Sequence, residues 1–96
     1  MYKINNNTSQ DISSIETMVK SFMPYAQKKM GFNRPPTIVF QSDPENAQNP
    51  LGKTGHYEPD TMTIAVYIDK RHPKDVLRSL SHELVHHTQN CRGEFD

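Results

Sequence analysis

Two of the five histidines in this 96-residue chain, His82 and His86, stand four apart, and Glu83 directly follows the first of them. On a helix, residues four apart share one face about one turn from each other, so both imidazoles can aim a nitrogen at a single ion. That is a zinc-ligand spacing: neutral imidazoles hold zinc at about 2.0–2.1 Å and leave a position open for water. Glu83 lies about 100° further round the helix. There it can take a proton from a water at the ion, and it is too far round to be the natural next ligand. The chemistry this pattern suits is metal-assisted hydrolysis with Glu83 as general base. The plain alternative is a solvent-facing helix whose histidines happen to be four apart.

The motif works only on a helix, and its neighbours supply one. Val76, Leu77, Leu80, Leu84 and, one step round, Val85 form an apolar stripe, while Pro73 and Asp75 suit a helix start. The other candidate ligands fit less well. His72 precedes the helix and lies some 15 Å along the axis from His82, at ~1.5 Å per residue. His87 is turned about 100° from His86, which makes it a packing or supporting residue. His56 reads as an exposed strand histidine, with an extra ligand or a substrate contact as the alternative. Cys91, the single cysteine, stands four residues after His87. A Cys–His nucleophile pair would need electropositive surroundings that the sequence does not supply, so a structural or free thiol is preferred.

Ser81 to His86 resembles the active-site helix of the zincin metallopeptidases. Arg71 to Asp75 and His86 to Gly93 extend the likeness to a group of small zincin-like proteins of tailed bacteriophages. The resemblance implies that His82 and His86 bind zinc and that Glu83 is the base. Zincins usually add a third His, Glu or Asp downstream. The metzincin pattern requires Gly and His where this chain has Gln89 and Arg92, so that subclass is excluded. Cys91 and Glu94 would point roughly 140° and 80° away from His86 if the helix continued. Glu94 would also lie about 12 Å along the axis, reaching the metal only if Gly93 folds the tail back. A separate later helix, the source of the third ligand in glutamate-type zincins, has no room before Asp96. The expectation is an incomplete ligand set, because the chain is truncated at its C-terminus or because a partner chain or waters complete the site, with weakened affinity and activity.

The rest of the chain reads as one domain, residues 1–96, that positions this helix. Eleven basic and eleven acidic residues cancel, and no basic stripe appears, which argues against nucleic-acid binding. No apolar run approaches the ~20 residues of a membrane span and the N-terminus is not a secretory signal. With one cysteine, the expected location is cytoplasmic, the host cell's if the protein is phage-encoded.

Met1 to Gln10 reads as a flexible end or a short strand. Apolar residues from Ile12 to Met30 recur at three- and four-residue steps, which predicts a helix capped by Ser9 or Asp11 and ended by Gly31. Pro24 should kink it or divide it in two. Thr37 to Phe40 has strand character, and Ser42 to Pro50 reads as a connecting loop, with a lid over the site as the alternative. Gly52-Lys53-Thr54 lacks the rest of a phosphate loop. Gly55 to Glu58 and Thr61 to Ile68 predict a hairpin turning at Pro59, with Met62, Ile64, Val66 and Ile68 facing the helices.

The expected architecture is α+β: a minimal zincin-like domain with an N-terminal helix, a small mainly antiparallel sheet of about three strands, and the motif helix last. The expected function is zinc-dependent hydrolysis of peptide bonds by a metal-activated water, in a peptide or protein substrate that adds to an open sheet edge. The alternatives are a metal-binding module without turnover and a host-interaction protein of phage origin.

Overall fold

The computed structural model describes residues 2–43, 54–69 and 71–93. Among these, the chain runs β1 (Lys3–Asn6), α1 (Ser13–Met30), β2 (Thr37–Gln41), β3 (Gly55–Glu58), β4 (Thr63–Tyr67) and α2 (Pro73–Cys91). This is an α+β domain. Its sheet has four strands in the order β1-β2-β4-β3, with β1, β2 and β4 mutually parallel and β3 antiparallel to β4. The expected sheet of about three mainly antiparallel strands is corrected to four strands in which two of the three pairings are parallel, and the parallel pairings have a plain origin. The helix α1 carries the chain from the end of β1 back to the start of β2, and β3 enters beyond the position that β4 then fills. The polar segment Lys3–Asn6 joins by backbone pairing with Thr37–Phe40, which its one apolar side chain, Ile4, and Tyr2 before it barely advertise.

The register sorts the strand residues by face. Ile38 pairs with Ile64 and Phe40 with Val66, so these four lie together, fully buried beneath both helices. They join Val19, Met23 and Ala26 of α1 and Val76, Leu80 and Leu84 of α2 in one core. The helix α1 is single and passes through Pro24; the proline lies on the exposed side, where the carbonyl it leaves unpaired can turn to water. Asp11 accepts from the Ser13 backbone N–H at 2.9 Å and the Ser13 hydroxyl at 2.5 Å, and Gly31, at φ 79°, closes the helix by donating to the Gln27 carbonyl at 2.8 Å.

The hairpin forms as expected, except that Met62 belongs to the turn, at φ 51°, rather than to the strand. Ile64, Val66 and Ile68 do face the core. The Ser42–Pro50 loop, Gly52-Lys53 and Glu94 fall largely or wholly outside the described residues.

Candidate functional site

The motif helix begins as its sequence requires. His72 is the N-cap, its Nδ1 accepting from the Lys74 N–H at 3.1 Å, with Pro73 at the first helical position and Asp75 in the first turn. Val76, Leu80 and Leu84 point straight into the core. Val85 does not extend that stripe: it is 43% exposed, because one residue past Leu84 is a turn of about 100° off the buried face. Val85 instead lines a groove with Thr88, Gln89 and Arg92 against Lys29 and Met30 at the end of α1. One flank of α2 therefore belongs to α1, while Glu83 and His87 are turned to β3, the edge strand, and His82 and His86 lie on the outward side between these two flanks.

On that outward side the His82 and His86 rings have centroids 5.1 Å apart and planes 87° apart. Two imidazoles bound through one nitrogen each at about 2.0–2.1 Å, meeting at a tetrahedral angle, have ring centres about 5 Å apart. That separation is compatible with two ligands of one ion and is also that of an edge-on ring contact; His82 is exposed and His86 half-buried. Among the described residues no group of three His, Cys, Asp or Glu side chains is gathered as a metal cage.

Glu83 is turned inward and is only 8% exposed. Among the described residues its carboxylate has no hydrogen-bond donor and no cation beside it. What stands next to it is backbone. A Cβ built on Gly55 would lie 3.7 Å from Glu83 Cγ and 2.7 Å from the Ala65 carbonyl oxygen. The second distance forbids any side chain at position 55 without moving β3 off β4, so the strand passes Glu83 bare.

One turn further on, His87 is fully buried. Its Nε2 is 2.6 Å from the Arg34 carbonyl oxygen and its Nδ1 is 2.7 Å from the Tyr57 hydroxyl. A carbonyl can only accept, so Nε2 carries the proton, and Nδ1 of the neutral ring accepts from Tyr57. The phenolic oxygen in turn accepts from the Asn90 amide at 3.0 Å, and the same amide donates to the Pro59 carbonyl at 3.1 Å. Burial holds the His87 pKa below its ordinary value, against the opposing pull of the Arg34 carbonyl, and burial raises that of the Tyr57 phenol. Phe32 packs edge-on against the imidazole with centroids 5.3 Å apart.

This tautomer decides the role of Cys91. Its sulfur lies 3.5 Å from His87 Nε2, the nitrogen that already carries a proton for Arg34, so His87 cannot take a proton from the thiol there. The pair is not a nucleophile and its base. Cys91 also lies on the buried side with His87, turned about 140° from His86 along the helix.

A second polar staple holds the other end of β3. The Arg71 guanidinium donates to the carbonyls of Thr54 (3.4 Å), Tyr67 (3.0 Å) and Asp75 (2.7 Å) and to the Ser79 hydroxyl (2.6 Å). Desolvation lowers its pKa, partly offset by the charge of Asp75. Gly55, Tyr57, Asn90, Arg71 and Arg34 all escaped sequence reasoning as parts of this site. The available signal was the alternation of β3, which puts Gly55 and Tyr57 on one face, set beside the four-residue step from Glu83 to His87 on the helix. His56, on the other face of β3, is exposed.

No protein-family model, no curated protein and no solved structure matches the chain.

Proposed function

We propose that this protein is a zinc-dependent metallopeptidase of the His-Glu-x-x-His type, with His82 and His86 as metal ligands and Glu83 as general base. The observation that carries the reading is the pairing of two side chains of one helix turn. The imidazoles of His82 and His86 lie at a spacing compatible with shared ligands, while the carboxylate between them in sequence is buried and has no partner among the described residues. Zinc, when bound, supplies Lewis acidity toward a peptide carbonyl and toward water. His82 and His86 hold it as neutral imidazoles. Glu83 takes the proton of the attacking water and hands it to the leaving amine. The edge of β3 not paired with β4 offers backbone groups to an extended peptide, a mode that would hold different sequences in one register. Remaining ligand positions go to waters, to a residue outside the described ones, or to a partner chain.

The test pairs metal content with turnover. Zinc stoichiometry after dialysis should fall in the His82→Ala, His86→Ala double variant, and Glu83→Gln should keep the metal and lose hydrolysis of a fluorogenic peptide library. Metal retained at the parental level by the double variant, or hydrolysis retained by Glu83→Gln, refutes the assignment. Zinc bound with no turnover of any peptide by the parent favours instead the metal-binding module without catalysis.

A further inference from the structure

We propose that His87, together with Tyr57, is a positioning residue of this site: the hydrogen-bond chain Tyr57–His87–Arg34 sets the register of β3 along α2, and that register brings the bare backbone of Gly55 to Glu83. The geometry stands by itself; its consequence for turnover rests on the hydrolytic reading above.

Strand and helix run side by side with matching steps. Four residues of helix rise about 6 Å, and two residues of strand advance about 6.6–6.8 Å. Glu83 and His87 on α2 can therefore meet Gly55 and Tyr57 on β3 rung for rung, and they do, through the 3.7 Å approach of a Gly55 Cβ to Glu83 Cγ and the 2.7 Å bond from Tyr57 to His87. The flanking rungs agree. Arg71 joins Thr54 to Ser79, four residues before Glu83, and Asn90 reaches Pro59.

Apolar packing cannot fix this alignment unaided. Gly55 and Tyr57 are the β3 residues turned toward α2, since they pair with Val66 and Ile64 of the core-facing side. Gly55 has no side chain, so among the β3 side chains Tyr57 alone reaches the helix from this face. Strands that are short and glycine-bearing specify register weakly, and a slip by one residue exchanges the two faces. Such a slip would carry a side chain to Glu83 in place of Gly55. The phenol's hydrogen bond to one buried nitrogen gives the ring a single seat, and the Arg34 carbonyl holds the imidazole from the far side.

The experiment reads that alignment directly on the full chain. In the isotope-labelled protein, the nuclear Overhauser effect between the Gly55 α-protons and the Glu83 γ-protons is measured in the parent and in Tyr57→Phe, His87→Leu and His87→Gln. Tyr57→Phe removes one oxygen and keeps the ring, so it reports even if His87→Leu fails to fold. A Val19→Ala variant, destabilised from within α1, is the control. The expected result is a cross-peak several-fold weaker or absent in Tyr57→Phe and His87→Leu, partly restored in His87→Gln, whose amide can donate to Arg34, and unchanged in Val19→Ala. Peptide turnover should show the same order in kcat, with KM little changed. A cross-peak of parental intensity in both Tyr57→Phe and His87→Leu overturns the proposal and assigns the register to the hairpin turn. Failure of the hydrolytic reading shows itself elsewhere, as hydrolysis that survives Glu83→Gln, and leaves the cross-peak result standing.

Discussion

Replacing Gly55 by alanine puts a number on how closely β3 is drawn against β4 beside Glu83. The added Cβ would sit 2.7 Å from the Ala65 carbonyl oxygen. That oxygen is main chain of the paired strand, so no rotamer change relieves the clash. Reaching 3.0 Å, the shortest separation real Cβ atoms show, requires a 0.3 Å shift, and ordinary contact at 3.4 Å requires 0.7 Å. Overpacking of this kind costs about 1–3 kcal/mol, offset by about 0.4–1 kcal/mol because alanine narrows the unfolded ensemble. A net loss of about 1–2 kcal/mol lowers the melting temperature of a chain this size by roughly 5–15 °C. Thermal denaturation followed by circular dichroism measures it, on metal-free protein so that ligand binding does not mask the change. The shift also moves the strand away from Glu83, so turnover per folded molecule should fall by about an order of magnitude or more, given how steeply rates depend on placement. A Gly55→Ala protein that melts within about 2 °C of the parent would refute the close approach and the reasoning built on it.

Glu83→Gln should lower hydrolysis by about 10²–10⁴-fold, the range of general-base contributions, with zinc content close to the parent's by atomic absorption. The His82→Ala, His86→Ala variant should lose zinc in equilibrium dialysis while keeping its far-ultraviolet circular dichroism, since the rings lie on the outer flank of α2 rather than in the core. Arg71→Leu strands two backbone carbonyls and the Ser79 hydroxyl that its shorter bonds satisfy, and should cost roughly 1–3 kcal/mol in urea denaturation. Asp11, whose carboxyl the Ser13 hydroxyl and N–H hold below its usual 3.8, contributes stability above that pH and loses it as the pH falls through the lowered value. The melting temperature of Asp11→Ala should therefore lie below the parent's at neutral pH and converge on it in strong acid.

The helices were legible because their signals are local. The three- and four-residue recurrence of Ile12 to Met30, Gly31 after it, and Pro73 with Asp75 each state their structural consequence within one turn of chain. The hairpin was legible for the same reason. The parallel pairing of β1, β2 and β4 was not, because no local pattern tells a strand which distant strand it will meet. The site divided along the same line. The spacing of His82 and His86 is a property of one helix, so the sequence carries it whole. The partners of the buried side chains are not: Arg34 lies 53 positions from His87 and Tyr57 lies 30. His87 was readable as a packing residue from its angle on the helix, but its tautomer needed the Arg34 carbonyl, and the exclusion of Cys91 as a nucleophile follows only from that tautomer.

The same division separates metal capture from turnover. The four-residue spacing of the two imidazoles is a property of the α2 backbone, so zinc affinity per folded molecule should depend little on where β3 lies. The setting of Glu83 depends on β3, because its inward side is closed by Gly55 and the neighbouring rung is held by Tyr57. A hydrolase needs both arrangements, whereas a module that only binds metal needs the first. Variants of β3 therefore sort the two readings in a way that variants of the histidines cannot. Tyr57→Phe in a hydrolase should keep parental zinc affinity and lose kcat, whereas in a binding module it should change stability and nothing else. If Tyr57→Phe instead weakens zinc binding as much as it weakens the fold, the histidine pair is coupled to β3 after all, and the claim that metal capture depends little on β3 fails.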